Sequence, residues 1–195
     1  MASKTESTLR NMVLALFIVA LISATSLGYI YELTKGPIDQ AKLQKKLAAI
    51  QVVVPEFTND PNKDMFMLPS DVEGDSLECY PAYNNDQLVG TAVKTFSDKG
   101  FSKRIYIMVG FLPDGTIKNI QVLDHAETPG LGDKMSKKKS TWSEQFNEKN
   151  PGSFKLKVKK DGGDVDAITA ATISSRAFAE AVDRAYKALM TNSKN

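Results

Sequence analysis

Hydrophobic and polar positions divide the chain into three regimes. The first is a continuous apolar run, "MVLALFIVALISATSLGYIY", Met12 to Tyr31, 20 residues without a charge. As a helix it would extend about 30 Å, the thickness of a bilayer's hydrocarbon core. The second regime, "GPIDQAKLQKKLAAIQVVVP", spaces Ile38, Leu43, Leu47 and Ile50 at helical intervals. It predicts a linker helix starting near Pro37 and stopping before Pro55. "TNDPNKDMFMLPSDVEGD" follows, so broken by Pro, Asn and Asp that it reads as loop.

From Leu77 the period shortens. "LECYPAY", "QLVGTAVKTF", "RIYIMVGFL" and "TIKNIQVLD" are short apolar or alternating runs. Turn residues separate them, notably Asn84 to Asp86 and Pro113 to Gly115. Connections this tight join antiparallel neighbours, because parallel strands need long crossovers. "TWSEQFNEK" predicts a short helix and "FKLKVKK" a half-exposed strand. In "RAFAEAVDRAYKALM" one stripe, Phe178, Val182, Ala185 and Leu189, predicts a helix with one buried face. The fold class is α+β: a membrane helix, then a mainly antiparallel sheet with flanking helices. The divisions are an N-terminal segment 1–11, a span 12–31, a linker helix and loop 32–76, and a domain 77–195.

Two readings of the apolar run compete. "SATS" supplies the small residues of a signal-peptide cleavage site. The apolar character resumes through Leu27, Tyr29 and Ile30, with tyrosines where an interfacial belt would fall, which favours a retained anchor. Lys4 and Arg10 precede the span, while Lys35, Lys42, Lys45 and Lys46 follow it. Charge counting therefore does not place the N-terminus in the cytoplasm. A signal-anchor start implies a translocated C-terminal domain.

Composition narrows the chemistry. A net charge of +2 leaves no electrostatic footprint for nucleic acid, and "KKK" at Lys137 to Lys139 reads as a solvated face. One cysteine, Cys79, can form neither an internal disulfide nor the ligand set of an iron–sulfur cluster. Any electron carrier here has to be organic.

Two segments stand out between the predicted elements. In "DHAETPGLGDKM", Asp124 to Met135, Pro129 fixes a turn while Gly130 and Gly132 free the backbone for close approach. A dinucleotide fingerprint would want glycine at Met135, and no Walker loop or nucleophile elbow occurs. His125, the only histidine, sits between Asp124 and Glu127 on an extended chain whose side chains diverge; hydrogen bonding within its loop is a simpler role than metal binding. Nothing pairs it with a serine for hydrolysis.

The second segment is "DAITAATISS", Asp166 to Ser175, with four hydroxyls and three alanines just before the last helix. One reading is capping, with Thr172, Ser174 or Ser175 accepting from the helix's unpaired amides. Capping needs one hydroxyl, however, and here there are four. Small Ala170 and Ala171 beside Thr172 leave room for a bulky group, and a helix start favours an anion. Together these describe a phosphate site.

"DAITAATIS" resembles the flavinylation motif of the FMN-binding domain family: an acidic residue, then Ser/Thr–Gly/Ala–Ala–Thr, any residue, and Ser/Thr. Asp166 matches the acidic position, Thr169, Ala170, Ala171 and Thr172 the core, and Ser174 the trailing hydroxyl; Ala170 stands where the family more often has glycine. "HAETPGLGD" is similar to a second segment of that family. Over its whole length the chain resembles the G subunits of Rnf-type electron-transport complexes, with the C subunits of sodium-pumping NADH:quinone reductases as runner-up.

The resemblance implies FMN held by Thr172 through a phosphoester, one per chain, installed by a separate flavin transferase that uses FAD and a divalent metal. It implies contacts to the flavin from Glu127, Thr128, Gly130, Leu131 and Gly132. It also implies a place beside other subunits of a bacterial or archaeal membrane complex coupling ferredoxin:NAD+ oxidoreduction to Na+ or H+ transport, the soluble domain being extracytoplasmic. The chain alone offers no nicotinamide site and no intramembrane charge for an ion path. A flavin-free assembly subunit is the alternative from another class.

Overall fold

The structure is a computed structural model that describes residues 8–192. Lys4 and most of segment 1–11 lie outside these residues. The chain falls into two compact units, residues 1–44 and 45–195.

The first unit is helical from Leu9 onward. Helix α1 runs Leu9–Val53, 45 residues, with Pro37 inside it. None of its apolar window is buried, and it is the one helix among the described residues long and apolar enough to cross a membrane. The expected separate start near Pro37 is corrected: the helix passes straight through. Proline removes one donor, costing about 3 kcal/mol, and long helical stretches on both sides outlast that single missing bond. The predicted stop before Pro55 holds. The Val52 carbonyl, which α1 leaves unpaired at its end, accepts from Asn119 Nδ2 at 2.9 Å.

The second unit is built on five strands: β1 Phe66–Pro69, β2 Ser76–Asn84, β3 Gln87–Ser97, β4 Ile105–Phe111 and β5 Ile117–Asp124. They pair in sequence order, each antiparallel to the next. Four of them fall where the alternation placed them. Asn85 and Asp86 adopt positive φ of 48° and 62° to turn β2 into β3, as a tight hairpin demands. β1 lies in the stretch read as loop. It is a four-residue edge strand with only Leu68 buried, too short to show a period, and its Pro69 is tolerated because an edge needs no second ladder.

Alternation along the strands gives the sheet two apolar faces. Ile105, Ile107, Val109 and Phe111 of β4 join Val93 and the stripe of the last helix, α2 Thr172–Asn192. Met108 points the other way, joining Tyr80, Ala82 and Ala92 against Ala49, Ile50 and Val53 at the end of α1. Phe178, Val182 and Ala185 are buried and Leu189 packs partly against them, as the spacing predicted.

Between β5 and α2 the chain makes three 3₁₀ turns, Gly132–Met135, Trp142–Phe146 and Lys159–Asp161. The helix expected around Trp142 is the second of these. The strand expected over "FKLKVKK" is corrected. Its alternation is genuine, with Leu156 and Val158 buried and the lysines outward, but Val158 forms only an isolated parallel bridge to Val165 in its own loop. Trp142 meets Phe146 and Phe178 edge to face, and Phe146 lies tilted against Phe178, with centroids 5.1–5.6 Å apart.

Candidate functional site at the start of α2

The segment before α2 is held by a closed set of hydrogen bonds. Ile168 N donates to Ser175 Oγ at 2.9 Å, Ser175 Oγ donates to the Ala171 carbonyl at 3.0 Å, and Ala171 N donates to the Ile168 carbonyl at 2.9 Å. This tight turn drives Ala170 to φ 61°, a left-handed conformation costly for any residue bearing a Cβ. That is a physical reason for glycine to be favoured there.

The capping reading fails. Ser175 N bonds to the Ala171 carbonyl, which makes alanine, without a side-chain acceptor, the N-cap. Thr172 and Ser174 lie inside the first turn, and Ser175 serves Ile168 instead. Among the described residues the amides of Thr172, Ile173 and Ser174 have no protein acceptor, and Thr172 Oγ1 makes no hydrogen bond. Three aligned donors at the positive end of a 21-residue helix, beside a half-buried free hydroxyl, form a cradle for an anion.

The second motif reaches the same place through Glu127. This side chain is only 4% exposed. Its Oε1 accepts from Phe101 N at 2.8 Å and Ser102 N at 3.5 Å, while its Oε2 accepts from Ser174 Oγ. One carboxylate thus fastens the β3–β4 loop, the turn after β5 and the start of α2. Gly132 completes the junction: a methyl there would meet Glu127 Oε2 at 2.8 Å and collide with Ser174 Oγ. His125 accepts from Glu127 N at 3.2 Å through Nδ1, a hydrogen bond within its own loop. At the head of that loop burial pushes the Asp124 carboxyl up, but the Lys103 ammonium at 2.8 Å and the charge of Lys45 hold it below the usual aspartate range.

A cleft of ≈ 330 Å³ opens at this junction, near the small end of the roughly 300–1,000 Å³ of ligand pockets. It brings together Glu127, Thr128, Leu131 and Gly132 of one motif with Ala170, Ala171, Thr172 and Ser174 of the other. Gly130, Asp166 and Thr169 do not line it. Gly130 and Thr169 are exposed turn residues. Asp166 points its carboxylate to Lys159 at 2.7 Å, and its backbone is clasped by Trp142 Nε1 at 2.6 Å and Gln145 Oε1 at 2.7 Å. Sequence reasoning missed Phe101 and Ile173, which also line the cleft. A lone phenylalanine amid the turn residues of "DKGFSK" was the available signal.

The donor set fits a phosphate-bearing flavin. The cradle offers neutral amides and a hydroxyl, and apolar side chains surround it where a ring system would lie.

Comparison with known proteins agrees. Residues 100–187 match the model of the FMN-binding domain. The G subunit of the ion-translocating oxidoreductase complex of Erwinia tasmaniensis is 36% identical over 183 residues, covering 90% of this chain and 87% of that protein. The proteins of the same name from Aliivibrio fischeri (36%, 90% and 86% covered) and Cereibacter sphaeroides (33%, 93% and 83%) align similarly. With its two motifs meeting at one cleft and this similarity along nearly its whole length, the chain belongs to the family of ion-translocating oxidoreductase complex G subunits and carries their FMN-binding domain.

Proposed function

We propose that this chain is a membrane-anchored electron carrier in which FMN is joined to Thr172 Oγ1 through a phosphoester. The observation that carries the reading is the unpartnered Thr172 hydroxyl beside three free helix amides, in a segment where the neighbouring hydroxyls of Ser174 and Ser175 are engaged. In the attachment step Thr172 Oγ1 bonds to the flavin-side phosphorus of FAD and loses its proton. The pyrophosphate bond breaks and AMP leaves. A flavin transferase with a divalent metal supplies the activation, so no base is needed beside Thr172. The resulting diester keeps one negative charge, which the amides of Thr172, Ile173 and Ser174 and the helix dipole favour.

When bound, FMN supplies reversible electron acceptance and release, and the protein surroundings set its potential, since attachment through phosphate leaves the ring unaltered. Glu127, Thr128, Leu131 and Gly132 position the cleft around it. Asp166 and Thr169, outside the cleft, shape the segment that the transferase recognises, and Gly130 shapes the turn bearing Leu131. The relatives are named as subunits of an ion-translocating oxidoreductase complex. In our reading this chain works beside other subunits of such a complex, coupling ferredoxin:NAD+ oxidoreduction to Na+ or H+ transport. Residues 12–31 anchor it, and domain 77–195 lies on the extracytoplasmic side.

Intact-mass measurement of protein matured in a host with its transferase tests the attachment. The expected mass increase is one FMN less water, visible as flavin fluorescence in a denaturing gel and abolished by Thr172→Ala without loss of folding. An unmodified wild-type mass would favour the flavin-free assembly subunit.

A further inference from the structure

Outside α1, Phe101 is the most exposed large hydrophobic side chain among the described residues, at 66%. Such a residue on a loop tip is ordinarily mobile, and this one is not free to drift. Gly100 is packed so closely that a Cβ would collide with the Lys103 carbonyl and lie 3.0 Å from Glu127 Oε1. Phe101 N donates to that same Oε1 at 2.8 Å, and the other oxygen of the carboxylate holds Ser174. A buried acid and a glycine thus fix the Phe101 backbone relative to the helix start that bears Thr172, while its ring is left uncovered.

Phe101 lines the cleft together with Leu131 and Ile173, themselves 39% and 48% exposed. Exposed apolar side chains gathered round one concavity mark a binding surface. Here the concavity begins at the anion cradle. A ligand tied at that cradle and carrying a flat, apolar-faced ring would meet these three side chains next. We infer that Phe101 is an aromatic contact for the isoalloxazine ring, with Ile173 and Leu131 completing an apolar lip. An aromatic ring at that place favours offset or edge contact with another π-system. The inference rests on the reading of Thr172 as the FMN tether.

The test uses full-length protein loaded in a host with the transferase, compared as wild type, Phe101→Trp, Phe101→Leu and, as an exposed control away from the cleft, Leu88→Trp. Indole gives an electron to an excited flavin at contact distance, and back transfer restores both partners, so the emission is lost with no net reaction. At equal covalent load, flavin fluorescence should fall severalfold in Phe101→Trp and stay at the wild-type level in Leu88→Trp. In Phe101→Leu, iodide should quench the flavin more strongly and its anisotropy should drop. That variant decides the matter if the tryptophan variant fails to load. Wild-type emission from Phe101→Trp, or unchanged iodide access in Phe101→Leu, would overturn the contact. Absence of in-gel flavin from the wild type would instead overturn the tether.

Discussion

The middle and the start of α2 treat polar groups in opposite ways. In the middle, Arg184 is 5% exposed and every part of its guanidinium is engaged. It donates to Asp71, to the Phe96 carbonyl and to Glu180, and lies 4.7 Å from the centroid of the Phe96 ring. Arg104 approaches the same ring at 4.1 Å and pairs with Asp75 and Asp98. At the start of the helix, three amides and one hydroxyl are left without protein partners among the described residues. A saturated cluster is built to hold the fold, because buried donors left unpaired are costly. An unsaturated one, on a helix that pairs Arg184 so fully, is built to receive something.

Substitutions in each region sharpen that contrast. Arg184→Ala should have the largest effect on stability. It removes a packed side chain and leaves the Phe96 carbonyl unpaired, a loss of about 2–4 kcal/mol, moderated because Asp71 stays well solvated. Denaturant unfolding would register it, and whatever protein remains folded should still accept flavin. A smaller loss by Arg184→Ala than by a change at the helix start would collapse the distinction.

Gly132→Ala comes next. Its methyl must push Glu127 and Ser174 apart, costing about 1–3 kcal/mol as overpacking does, and a lowered melting temperature with slower flavin loading is the expected signature. The smallest effect is a gain. Ala170→Gly relieves the left-handed strain at φ 61° and should raise stability by about 1 kcal/mol, measurable as a higher denaturation midpoint at unchanged slope. A destabilised Ala170→Gly would mean that the methyl contributes packing that outweighs its strain.

Much of this architecture is legible in the residue pattern itself. The strands from Leu77 onward announce themselves as short apolar runs because a sheet covered on both faces buries successive residues, and the stripe on α2 because helices bury every third or fourth residue. Features fixed by a single tertiary partner are not legible. Alternation at Lys155 to Lys159 reports burial beneath a loop as readily as pairing in a sheet, and Pro37 looks like a helix boundary only when the surrounding helix is ignored. The site divides in the same way. The two motifs are visible in the sequence, whereas the bond from Ser174 to Glu127 joins residues 47 apart, and Phe101 enters the cleft only through that carboxylate.

The pairing order of the sheet has a further consequence for synthesis. A meander in which each strand joins its predecessor closes only short loops, so pairing can proceed as the chain lengthens. The helix that seals its apolar face follows all five strands in the sequence, and Thr172 is the first residue of that helix. Under the attachment proposed at Thr172, nascent chains cut short of α2 would lack the acceptor hydroxyl, and flavin would be added only to polypeptides in which all five strands have already been synthesised.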